Sequence, residues 1–530
     1  MKRAALLLAI SLIVVSCATV HERGRALTSR AVDALGGADK LAGIKTISAK
    51  LTEKLWEPEQ SMTPGGEMRY AAESTLEVVQ DVSSAAARID RVRKFEYPAP
   101  RMFTFTEIVT PEAGYVAGID SNGRNKQSLD AKPPAHAMSG LRLATSQREL
   151  RRASSLLVLD MYKHPDRVSG IGDVTVGGVA YPAAEYRATD DQTFTVLFDP
   201  ATGLPARIRT LDYDNVWGDV TFDLVLSDWR AFDGVKVATS RKYELSGRPV
   251  IEMKVTDFKI NAPIAANRLT IPAAFKTGAP KPATGAVPYQ WVIRRQFIGT
   301  YMDSDAVTHD TRGSQGLRFV ELAPGVQHVT GGTHHSLLVE MRDHLIVFDA
   351  PVSDVQSNWV LGQARAKYPN KPVKFLVLTH HHMDHTGGLR AYAAQGATLV
   401  VGRGAADHYR RVLAAPFTRN PDLAARDLSR TEIAEVADKR VFTDGQREIH
   451  VYLLDNPHAT ATLIGYVPSA RLGYVTDVWS PGAGPLPEKI TPPLAALVAG
   501  VKKAGISPVK FAGGHGSTAD YAPLATLAAK

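Results

Sequence analysis

Six residues of this chain carry the pattern His-x-His-x-Asp-His, in the setting Thr379-His380-His381-His382-Met383-Asp384-His385-Thr386-Gly387-Gly388. Imidazole nitrogen and carboxylate oxygen together suit zinc or a comparable divalent ion. His380, His382, Asp384 and His385 crowd more donors into one loop than a single cage needs, so the spacing points to two metals rather than one. Two such cations side by side lower the pKa of a shared water toward neutrality, which supplies a hydroxide nucleophile without a Ser or Cys.

Such a loop needs rigid elements on either side. The apolar run at 373–378 reads as a buried strand, and Gly387-Gly388 leads into a helix at 389–395. The ligands therefore sit where the chain leaves the carboxyl end of a strand, the usual place for a site in an α/β sheet. The stretch resembles the signature loop of the metallo-β-lactamase-fold hydrolases. The resemblance covers residues 317–530, with opening strands at 326–330, 336–341 and 344–349, and implies an α/β domain of the αββα sandwich type.

The family adds a later His, an acidic or thiol bridging ligand and a last His, each at the end of a strand. Here His458, in Asn456-Pro457-His458, follows the run 449–454; Asp477 follows 472–476; and His515, in Gly514-His515-Gly516, follows 509–512. Carried over, the resemblance implies one metal on His380, His382 and His458, a second on Asp384, His385 and His515, and Asp477 as the bridge. His450, the rival to His458, lies inside its strand-like run and reads as structural. His381, between ligands, points away from them as a solvated or supporting side chain. His334 and His335 lie in a turn between two early strands, as a substrate contact or as plain loop. Asp349 ends a strand, either orienting a ligand through a hydrogen bond or closing an ordinary turn.

The implied cofactor is two zinc or other divalent ions per chain, and the implied activity is hydrolysis of a small-molecule substrate by a metal-bridging hydroxide. Asp384 is the catalytic candidate, accepting a hydrogen bond from that hydroxide. Esters, thioesters, lactones, lactams and phosphodiesters are all served by such metals, and pocket loops choose among them. Asp at 477, where the family's true β-lactamases carry Cys or Ser, lowers the rank of β-lactam cleavage. Sulfur dioxygenases of the same fold use a similar loop around one iron, which leaves an oxidative reading open. Tyr409, Phe417 and Pro421, in the segment between the strands at 397–401 and 447–454, are candidates to wall the substrate pocket.

At the other end, Lys2 and Arg3 precede an apolar run at 4–15 that is too short for a good transmembrane helix and ends in Val14-Val15-Ser16-Cys17. Residues 1–17 read as a signal peptide whose last four residues resemble a bacterial lipoprotein cleavage box, with Cys17 as the lipidated residue. The resemblance implies a lipid-anchored protein of the bacterial cell envelope, and Ala18 after the Cys implies sorting to the outer membrane, facing the periplasm. Cys17 is the single Cys of the chain, so the rest of the fold rests on packing and metal without disulfides.

A chain of 530 residues is too long for one core. With 44% hydrophobic and 22% charged residues it is ordinary globular protein, and its net charge of +8 is scattered rather than gathered with aromatics, which argues against nucleic-acid binding. The Pro, Gly and Ala of 276–288 read as a linker, and 276–316 as linker plus crossing segment. Before it, residues 21–275 read as an antiparallel β-rich (α+β) domain: a helix at 21–35 ended by Gly36-Gly37, many strands of alternating pattern, and one long helix at 147–162. The pattern is similar to the half-barrel of LolA-type lipoprotein carriers, which implies a sheet able to cup an acyl chain. The rival to the hydrolase is thus a lipid or lipoprotein carrier with an accessory metal domain.

Overall fold

The structure, a computed structural model, describes residues 2–98, 100–120, 134–265, 267–298, 316–332, 334–422 and 427–530, with the side chains of 2–18 and 295–298 left aside. The Cys17 side chain, and Tyr301-Met302-Asp303 of the crossing segment, lie outside the described residues. The chain forms two compact units. The first comprises Met1–Trp56, Tyr70–Asp212 and Val220–Asp303; the second comprises Glu57–Arg69, Tyr213–Asp219 and Ser304–Lys530.

The first unit is built on a 13-stranded sheet. Its strands follow from alternation: along Thr46–Glu57, Ala49, Leu51 and Leu55 are buried while Lys50, Thr52 and Lys54 face water. One meander runs outward from that strand through Arg69–Asp81, Ala86–Phe95, Arg101–Val109 and Gly114–Gly118 to Ala135–Ala137. A second runs from Val168–Val176 to Arg248–Ile260, and antiparallel pairing of Ile47 with Ile260 and Leu55 with Ile251 joins the two.

The helix expected at 147–162 is instead two helices, Gly140–Arg152 and Leu156–Lys163. Between them the Ser154 Oγ accepts the Leu156 N–H at 3.2 Å, a side-chain bond that competes with the helical ladder. The first helix spans Lys2–Leu35 and stops where expected, at Gly36 and Gly37, whose φ of 127° and 97° suit glycine. The stretch read as linker and crossing segment carries a helix at Tyr289–Ile298 whose Trp291 and Val292 are fully packed.

In the second unit a seven-stranded sheet runs in the order Arg318–Ala323, Val326–Thr330, Ser336–Glu340, Leu345–Phe348, Val373–Val377, Thr398–Gly402 and Ile433–Val436, antiparallel up to Leu345–Phe348 and parallel beyond it. A six-stranded sheet, Lys439–Thr443, Glu448–Leu454, Thr462–Val467, Leu472–Val475, Lys510–Gly513 and Thr518–Asp520, packs against it. The core between them takes Val339, Ile346, Phe348, Val377 and Val400 from one sheet and Ile449, Val451, Leu463 and Tyr474 from the other. The far face of the smaller sheet is covered by Leu494, Leu497 and Val501 of the helix Pro492–Ala504. Helices Asp354–Lys367 and Leu389–Ala394 belong to the larger sheet's side. This helix–sheet–sheet–helix order places the carboxyl ends of several strands along one rim, where the site is found.

Candidate metal centre

His380 to His385 leave the carboxyl end of Val373–Val377, and Met383–Thr386 is a single helical turn. The loop is anchored from below by Asp349, fully buried at the end of its strand. Asp349 Oδ1 accepts the Thr379 backbone N–H at 2.7 Å, and Oδ2 accepts the Thr379 hydroxyl at 2.9 Å. The same Oδ2 lies 3.5 Å from His385 Nδ1 and accepts the Tyr474 hydroxyl at 3.4 Å. Asp349 thus holds the ligand loop through Thr379, with its Oδ2 beside His385 rather than hydrogen-bonded to it. Behind the loop, a β-carbon on Gly387 would meet the Val352 carbonyl and one on Gly388 the Ser357 hydroxyl, so the turn requires glycine.

Seven expected ligands converge, and an eighth residue joins them. His380, His382, His458 and Asp477 bring one donor atom each within 4.8 Å of one another, and His334, Asp384, His385 and His515 do the same. Asp477 stands between the groups. Its Oδ2 lies 3.2 Å from His380 Nε2 and 3.0 Å from His458 Nε2, and its Oδ1 lies 3.1 Å from His385 Nε2 and 2.8 Å from His515 Nε2. Two nitrogens on one tetrahedral metal, each at about 2.0–2.1 Å, stand about 3.3 Å apart. His458 Nε2 is 3.3 Å from His380 Nε2 and 3.0 Å from His382 Nδ1, so the first group fits such an ion. The donor set, imidazole and carboxylate without sulfur, fits zinc and its divalent neighbours.

The sequence allows His334 to be a substrate contact or plain loop. It is buried, with Nε2 3.2 Å from Asp384 Oδ2 and its ring 4.4 Å from that of His515, which makes it a further candidate ligand of the second group. His335 turns away, its Nε2 bonded to the Gly332 carbonyl at 3.1 Å. His450 stays apart from the ligands, paired with Glu448 at 2.8 Å and Tyr452 at 3.1 Å. His381 is not solvated as one reading had it; it is buried, with Nε2 3.1 Å from the Ser61 hydroxyl. Tyr409 is 1% exposed, and Phe417 stacks on Arg390, 4.1 Å from its guanidinium.

Residues 57–69 carry no ligand motif in the sequence. Part of the second unit, they place Gln60 Nε2 2.8 Å from Asp384 Oδ1 as donor, and the Ser61 carbonyl accepts from His382 Nε2 at 3.0 Å. Arg69 donates to the His458 carbonyl at 2.8 Å. The Asn456 carboxamide oxygen accepts the His458 backbone N–H at 2.8 Å and so builds the Asn-Pro-His turn. The only sequence signal was punctuation: Pro58 and Pro64-Gly65-Gly66 interrupt the strand pattern and leave an unusually long hairpin connection.

Charge follows the geometry. Burial holds the His380 and His382 imidazoles below their ordinary value, in the neutral form that ligates a metal. In the second group burial opposes charge on His385 and His515, but Asp477, joined at His385 by Asp384, outweighs it and lifts both. The two carboxylates are held well below the usual range: burial opposes this, and His385 leads the groups that overcome it. Burial, with His515 beside it, lowers His334 to about 4.

No curated protein matches the sequence. Among solved structures, the chain is similar to a metallo-beta-lactamase from Pontibacter korlensis, at 19% identity over 40% of this chain and 97% of that one, with a TM-score of 0.30. It is similar to the flavodiiron protein from Giardia intestinalis, at 15% identity over 40% of this chain and 58% of that one, with a TM-score of 0.30. It is also similar to the sec-alkylsulfatase Pisa1 from Pseudomonas sp., at 16% identity over 41% of each chain, with a TM-score of 0.31. Residues 344–500 match the family model of the beta-lactamase superfamily domain, and the carboxyl-terminal region that carries both donor groups has the metallo-β-lactamase fold.

Proposed function

We propose that the second unit is a dinuclear metal-dependent hydrolase that cleaves an ester, thioester, lactone or related bond in a small-molecule substrate. The observation that carries this reading is the division of the Asp477 carboxylate, one oxygen toward each donor group. Two divalent cations, zinc foremost, would there activate a water and polarise the oxygen of the scissile group. The chain's own part is to hold the donors still. Gln60 and His334 fix the two oxygens of Asp384, and this carboxylate orients the attacking water. Asp349 and the Thr379–Thr476 hydroxyl pair, 2.6 Å apart, lock the loop beneath it. A single-iron dioxygenase is less well supported, because the second donor group is complete.

The proposal includes export and acylation at Cys17, which would put the hydrolase on the periplasmic face of the outer membrane. Among the described residues no helix is long and apolar enough to cross a membrane. Replacing Cys17 with Ser should abolish acyl labelling while leaving metal content unchanged; labelling that persists would refute the anchor. For the activity, metal analysis of the purified chain with a screen of esters, thioesters, lactones, β-lactams and phosphodiesters should return about two divalent ions, one for each donor group, and hydrolysis. Stoichiometric iron with oxygen uptake would overturn it.

A further inference from the structure

The inner face of the 13-stranded sheet is not fully covered. Helices Gly140–Arg152 and Leu156–Lys163 close part of it, and between them and the strands lies a cavity of about 190 Å³ within the first unit. Its walls include Leu51, Leu76, Val78, Ile89, Met253 and Phe258, inward residues of strands that alternate with polar outward ones. Protein interiors rarely leave voids much larger than a water, and apolar voids of this order stay dry and accept apolar guests.

Charge in the wall singles out one residue. Among the described residues three arginines line the cavity, Arg91, Arg152 and Arg241, together with the carboxylates of Glu53, Glu107 and Glu149. Arg91 is 2.6 Å from Glu53, and Arg152 is 3.5 Å from Glu149, so each has a carboxylate. Arg241 has none among the described residues; its bond is a long one, Nε to the Ala238 carbonyl at 3.4 Å. It lies on Val235–Leu245 opposite Leu226 on one side and Met253 on the other, both cavity residues. Burial pushes its pKa down, with Tyr243 the one neighbour working the other way, as expected of a cation that lacks an anion.

We propose that the cavity binds a single-chain amphiphile, an alkyl chain ending in a carboxylate, with the chain against Leu51, Leu76, Val78 and Met253 and the carboxylate on the Arg241 guanidinium. A planar guanidinium in a low-dielectric wall matches a carboxylate through paired charge-assisted hydrogen bonds. An uncharged chain would leave Arg241 as it is, and an amine would repel it. The cavity is built from residues of the first unit alone.

The full chain, with Trp229 in the cavity wall as reporter, can be titrated below micellar concentration with decanoate, decanol and decylamine. Decanoate should bind saturably and at least about tenfold more tightly than decanol, the scale of one charge-assisted bond. Arg241→Gln should reduce decanoate to the affinity of decanol. Leu76→Trp, or the milder Met253→Phe if the first fails to fold, should weaken all binding. His515→Ala should leave decanoate binding unchanged, which separates this cavity from the metals. Equal affinity for decanoate and decanol, a preference that survives Arg241→Gln, or binding lost in His515→Ala would each overturn the proposal.

Discussion

Gln60 Nε2 donates a hydrogen bond to Asp384 Oδ1 at 2.8 Å across 324 positions of sequence. With His334 on the other oxygen, it leaves this carboxylate one orientation. Partners that orient a ligand are worth about 10–100-fold in metal affinity or activity. Gln60→Ala should therefore weaken metal at the second donor group by about tenfold or more while sparing the first, as read by titration of the stripped chain with a competing chelator. Equal loss at both groups, or at neither, would count against that role.

Asp384→Asn keeps shape and removes charge. Turnover of any substrate the wild type cleaves should fall by about 10² or more, the scale of a lost electrostatic stabiliser, with substrate binding less affected. Full-rate hydrolysis by this variant would rule out the role given to Asp384.

His334→Ala tests the eighth donor. In the cobalt-substituted chain, loss of a ligand from the second group should change the visible d–d absorption and weaken one of the two bound ions. If His334 only hydrogen-bonds Asp384, His334→Gln should restore the wild-type spectrum; a ligand would not be replaced in this way.

Stability should fall with acid even without metal. Burial sets His328 and His408 at about 4 in the folded chain, below the ordinary 6.5. The unfolded chain thus binds more protons between those values, so stability is complete above pH 6.5 and declines as pH falls toward 4, by at most about 3 kcal/mol for each residue. Both ring nitrogens of His408 are buried without a hydrogen-bond partner among the described residues. His408→Leu should therefore fold and show a shallower decline, measured as urea midpoint against pH in chelator. An unchanged slope would mean that His408 is not one of the groups responsible.

The ligand loop was legible in the sequence because its four donors fall within six consecutive residues, a span that one turn of backbone can bring together. His458, Asp477 and His515 could be matched because each follows an apolar run, and a strand delivers the residue after its last buried position to the rim of the sheet. The alternating runs likewise gave away the antiparallel first unit, since period two is a property of the strand itself. The break at Ser154 was not visible, because leucines at helical spacing continue through it and only a local side-chain bond decides the matter.

What the tertiary structure alone decided are relationships with no local signature. His334 sits in a turn whose sequence allows either loop or ligand; its burial against Asp384 and His515 depends on where the other strands end. Residues 57–69 look like a hairpin connection of the first unit, yet Gln60 and Ser61 support metal ligands of the second, since the chain's path through space, not its order, sets which polar groups meet. Arg241 reads as one charged residue in a strand; that it lines the cavity between Leu226 and Met253, with no ion pair among the described residues, follows only from the register of Val235–Leu245 against its neighbours. Backbone periodicity is written residue by residue, whereas the pairing of distant side chains is fixed by packing of the whole sheet.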